Sequence, residues 1–117
     1  MSNIWTVAKP TAHMKKLCKE LGPEYRIANI DLERVIYRDF GNGYDVEISG
    51  VNTSSQCKKA RIYLWKDQTR IIKIINNVPQ RDIGMWVGRL HTLVHGLTDS
   101  DFGEDGFLRK SRTEYAS

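Results

Sequence analysis

Residues 34–51 read RVIYRDFGNGYDVEISGV. Two runs rich in β-branched and aromatic residues flank Gly41-Asn42-Gly43. Glycine and asparagine tolerate the positive φ that a tight hairpin turn demands. In the second run Tyr44, Val46 and Ile48 alternate with Asp45, Glu47 and Ser49, so one face is apolar and the other polar. This stretch predicts a β-hairpin, and the rest of the fold is read outward from it.

Downstream, Asn52 to Gln56 is a polar loop, and Ala60 to Lys66 predicts a further strand. Ile62 and Leu64 fall on one face of it, and Arg61, Tyr63 and Trp65 on the other. A turn over 66–70 leads to a strand over Ile71–Ile75, apolar on both faces and interrupted by Lys73. Pro79 suits the first position of a helix running to about Leu97. Ile83, Val87, Leu90, Val94 and Leu97 form its apolar stripe.

Upstream, Thr11 caps a helix reaching Leu21, with Met14, Leu17, Cys18 and Leu21 on one side. Gly22-Pro23 stops it. Tyr25 to Ile30 reads as extended, and residues 31–33 as a turn or one helical turn. The fold class is α+β: a mainly antiparallel sheet of four strands, or five, with an N-terminal helix and a longer C-terminal helix packed on it. Residues 1–97 form one domain, and 98–117 a flexible tail, acidic and then basic, whose Phe102, Phe107 and Leu108 are candidates for docking.

The helix-strand-helix order invites one comparison. Leu17 to Arg26, with Gly22-Pro23-Glu24-Tyr25-Arg26, is loosely similar to the first helix and first strand of double-stranded-RNA-binding domains. That family opens its second helix with a basic cluster, whereas here it begins Pro79-Gln80-Arg81-Asp82, and an extra strand is present. No functional residue is carried across.

The 117 residues suffice for a folded core without metal or disulfide. Two cysteines, Cys18 and Cys57, make no disulfide framework and read as reduced thiols of a cytoplasmic protein. Lys58 and Lys59 beside Cys57 are a setting that can activate a thiol. No secretory leader is read at the start of the chain, and no apolar run nears the ~20 residues of a membrane span. The net charge of +4 divides into +6 over 1–97 and −2 over 98–117, which suits an acidic partner.

Three candidate sites follow. Arg61, Tyr63 and Trp65 project from one side, as in sheets that stack single-stranded bases. Arg38 and Lys73 are further cations for that set, while Asp45 and Glu47 on the hairpin would pair with Arg61 and repel phosphates. His91 and His95 are four apart on a helix and could share a metal, although Thr92 stands where zinc-protease helices carry glutamate. Gly84 and Gly88, on the same strip, suggest close packing or a homodimer seam.

No phosphate loop or nucleophile elbow is present, and no cofactor is expected. The reading ranks first a small non-enzymatic protein that docks on a partner protein, alone or within a nucleoprotein complex, with Tyr63, Trp65 and Trp5 as anchors. A mobile-element inhibitor of host nucleic-acid-handling machinery, anti-CRISPR-like, is the concrete version by analogy. Direct nucleic-acid binding is the alternative. An enzyme or metal protein using His91, His95 or Cys57 comes third.

Overall fold

The computed structural model describes residues 8–106, 108–109 and 113–116. Helix α1 (Ala12–Leu21) precedes five strands, β1 (Arg26–Ile30), β2 (Glu33–Gly41), β3 (Tyr44–Ser49), β4 (Ala60–Lys66) and β5 (Arg70–Val78). Helix α2 (Ile83–His95) and a short strand β6 (Thr113–Tyr115) complete the order. The fold is α+β, as the sequence predicts. The sheet runs β1-β2-β3-β4-β5-β6, antiparallel throughout except for the parallel β5–β6 pair.

The expected hairpin forms at Asn42-Gly43, with φ of 54° and 85°. Gly41 pairs with Tyr44, and the Gly41 amide donates to Asp39 Oδ1 at 2.8 Å. Two similar turns join β1 to β2 at Asp31-Leu32 and β4 to β5 at Asp67-Gln68, both residues of each at positive φ. Residues 31–33 therefore make a tight turn rather than a helical one. Thr11 caps α1 as expected, its hydroxyl accepting from the Met14 amide at 3.1 Å. A short 3₁₀ turn at Gln80–Asp82 precedes α2, which ends at His95.

The core lies between one face of the sheet and the two helices. Ile36, Val46, Ile48, Ile62, Leu64 and Ile75 meet Met14 and Cys18 of α1 and Ile83, Val87, Leu90 and Val94 of α2. Removing such apolar area from water stabilises the fold by about 25 cal/mol per Å².

The region after residue 97 carries further pairing among its described residues. Thr113–Tyr115 adds the sixth strand beside Ile74–Asn76, and the Ala116 amide donates to the Asn76 carbonyl at 2.9 Å. Phe102 and Leu108 form an isolated bridge and pack on the core, as their apolar side chains favour. Phe107, Lys110 and Arg112, like Trp5 near the N-terminus, lie outside the described residues.

Candidate interaction face

Directly opposed residues in an antiparallel pair share a face. The register therefore sorts the sheet into two surfaces. Rungs through Arg38, Val46 and Leu64 face the helices, and rungs through Tyr37, Glu47 and Tyr63 face away. Among the described residues both helices pack on the first surface. This settles which side α2 covers.

One rung of the second surface crosses the whole sheet: Arg26, Tyr37, Glu47, Tyr63, Ile74 and Thr113. The next holds Asp39, Asp45, Trp65 and Ile71. Asp45 and Glu47 thus occupy the centre, on β3, between aromatic side chains on both neighbouring strands. They are buried, with 7% and 6% of their surface exposed. The aromatics stand over them at intermediate exposure.

The polar tips of the aromatics reach the carboxylates diagonally. Trp65 Nε1–H donates to Glu47 Oε1 at 3.1 Å. The Tyr37 hydroxyl hydrogen-bonds with Asp45, and Asp45 Oδ1 has no hydrogen-bond partner. Burial pushes both carboxyl pKa values above the ordinary range. The hydrogen bond from Tyr37 moderates this for Asp45, and that from Trp65 for Glu47. The neighbouring charges that act on them are themselves carboxylates: Asp39 on Asp45, and Glu33, Asp31 and Asp45 on Glu47. Burial, then the Asp45 hydrogen bond and charge, pushes the Tyr37 phenol up to about 12.

Cations sit at the two ends. Arg26 lies over the Tyr37 ring, 4.8 Å from its centroid. Arg61 Nη1 donates to the Tyr63 hydroxyl at 3.3 Å. A cleft of about 530 Å³ opens between β1 and this cluster, lined by Arg26, Ala28, Ile30, Tyr37, Asp45 and Trp65 among others.

Five of the seven expected side chains are therefore together: Asp45, Glu47, Arg61, Tyr63 and Trp65. Their expected pairing differs. Arg61 stands opposite Ser49, while Glu47 faces Tyr63 and Asp45 faces Trp65. The register set by the chain slides the acids under the aromatics instead of beside the arginine. Arg38 belongs to the other surface, opposite Val46, with its guanidinium 5.4 Å from the Tyr25 ring and 5.2 Å from Phe40. Lys73 is opposite Leu64 and pairs with Glu114 at 2.5 Å. An irregularity between Leu64 and Trp65 shifts the β4–β5 register there, which simple alternation along β5 does not anticipate. Tyr37 and Arg26 join this face through the β1–β2–β3 register. Their side of the sheet could be inferred only by pairing β1 and β2 with β3.

His91 and His95 lie together as their spacing predicts, with ring centroids 4.4 Å apart. His95 Nδ1 lies 2.7 Å from the His91 carbonyl, and His91 stacks edge-on against Phe40 at 5.0 Å. Burial foremost, with Arg38 and His95 adding to it, lowers the His91 pKa. Among the described residues no group of three His, Cys, Asp or Glu side chains is placed to hold a metal. Cys18 is buried and Cys57 exposed, both as free thiols.

The glycine strip is not explained by tight packing on the sheet. A Cβ at Gly84 would meet only Leu21 of α1, at 3.8 Å, and one at Gly88 would meet open space. No described helix is long and apolar enough to cross a membrane. Comparison with family models, curated proteins and solved structures finds no match for the chain.

Proposed function

We propose that the protein is a non-enzymatic binding protein that docks on a partner protein through the sheet face carrying Tyr37, Asp45, Glu47, Tyr63 and Trp65. One observation carries the reading: two carboxylates are buried beneath aromatic side chains on the surface the helices leave open. Burying charge costs free energy, so a fold selected for stability alone would place apolar residues there. Aromatic side chains with polar tips and flanking arginines are the composition of interface anchors.

The same carboxylates weigh against direct nucleic-acid binding. They oppose phosphate at the centre of the aromatic platform, where the electrostatic contribution would be needed. The narrower reading, a mobile-element inhibitor acting in the cytoplasm on a nucleic-acid-handling complex, rests on the chain's size, its basic charge and fold-level analogy.

Capture from native extract tests the docking reading. The wild-type chain should retain a specific protein, and Tyr63→Ala with Trp65→Ala should lose it. Met85→Ala, at an exposed site on α2 (45% exposed), should retain it. Loss through Met85→Ala with retention by the double variant would move the interface to the helix side and overturn the proposal.

A further inference from the structure

The open face has a centre of one sign and rims of the other. The charges that act on Asp45 and Glu47 are acids, Asp39 on the first and Glu33, Asp31 and Asp45 on the second, and among the described residues no ion pair is formed with either. Arg34 and Arg26 line the same cleft as Asp45, yet Arg34 Nε donates to the Ala8 carbonyl at 3.3 Å and the Arg26 guanidinium rests on the Tyr37 ring. That contact shows by example that the rim accepts a planar cation. Trp65, the other aromatic lining the cleft, has its indole N–H committed to Glu47. Asp45 has one oxygen, Oδ1, that is buried and without a hydrogen-bond partner.

We propose that the cleft between β1 and the Tyr37–Trp65 pair receives a single arginine or lysine side chain of the docked protein, held against Asp45. The inference rests on the docking reading above and names the chemistry of the partner. Charge complementarity carries it. A buried carboxylate lacking a counter-charge is costly alone and strongly attractive to a cation that enters with it. The aromatic walls add cation–π attraction, which grows as water is excluded. A cleft of about 530 Å³ accommodates one long basic side chain. A phosphate or an acidic side chain would instead meet like charge at the floor.

The test uses the full chain, ¹⁵N-labelled, and the peptide acetyl-Gly-Arg-Gly-amide as probe. Its controls are the same peptide with neutral citrulline in place of arginine, and hexathymidine. Following the Trp65 indole N–H signal by NMR, the arginine peptide should give a saturable shift in the millimolar range. The citrulline peptide should give none, and Asp45→Asn should weaken binding by about fivefold or more, the scale of one partly buried ion pair. An equal response to citrulline, a response unchanged by Asp45→Asn, or no saturable response would overturn the assignment. So would a shift with hexathymidine and not with the arginine peptide.

The extract experiment separates this failure from that of the parent reading. If Asp45→Asn keeps the captured protein while Tyr63→Ala with Trp65→Ala loses it, docking stands and the cation site falls. If neither variant loses it, the docking face itself is wrong.

Discussion

The two surfaces of one sheet obey different rules. Beneath the helices Val46, Ile48, Ile62 and Leu64 are fully buried and wholly apolar. On the reverse of the same two strands lie Asp45, Glu47, Tyr63 and Trp65. The strands interleave these sets residue by residue, so no local feature of the backbone separates them. The difference lies in what covers each set: helices on one side, and on the other only the aromatic and acidic side chains of the face itself among the described residues. One surface supplies the stability of the fold, and the other carries polar groups at a cost to it.

The strongest way to break that contrast is to cut into the apolar side. Leu64→Ala should lower unfolding free energy by about 3 kcal/mol, the usual size for a fully buried leucine. Urea denaturation would measure it, and a loss below about 1 kcal/mol would mean that Leu64 is not part of a packed core.

Neutralising the acids should act in the opposite direction. Asp45→Asn with Glu47→Gln should raise stability near pH 7 by about 1 kcal/mol. The sign follows from linkage. Both carboxyl pKa values are raised by folding, so the folded chain binds more protons between the ordinary values of 3.8 and 4.5 and the raised ones. The contribution of these groups to stability therefore falls as pH rises through that window, and the penalty is full above it. The gain of the double variant should shrink towards pH 4. Denaturation at both pH values checks this, and a loss of stability at pH 7 would show that the hydrogen bonds from Tyr37 and Trp65 outweigh the charge.

The smallest effect belongs to the rim. Arg61 is exposed, with its guanidinium bonded to the Tyr63 hydroxyl, so Arg61→Ala should change stability by no more than about 0.5 kcal/mol. A thermal melt would sharpen the contrast: a larger loss would mean that the rim helps to hold the aromatic layer in place.

Much of this was legible in the residues, for local reasons. Asn42-Gly43 announces its turn through backbone freedom, and Thr11 with Gly22-Pro23 brackets α1 through capping chemistry. Alternation along β3 and β4 sorted Asp45 and Glu47, and Tyr63 and Trp65, onto their respective faces. What was hidden depends on distant pairing. Nothing in Arg61 or Ser49 reveals that they stand opposite one another. Tyr37 reads as one more strand residue until β2 is registered against β3. Leu32 at φ 66° is an unfavoured choice for a tight turn, so the Asp31-Leu32 turn left little local signal. The pairing of β6 joins segments separated by a whole helix, and no period in either announces it.

That last strand bears on how the molecule behaves in company. β5 carries Ile71, Ile72, Ile74 and Ile75 along nine residues, and without a neighbour its outer backbone would be a template for another extended chain. Among the described residues β6 lies beside Ile74, Ile75 and Asn76, and the Lys73–Glu114 ion pair fastens it there. Three residues and one charge pair thus cover part of an isoleucine-rich border that would otherwise offer its backbone to another extended chain.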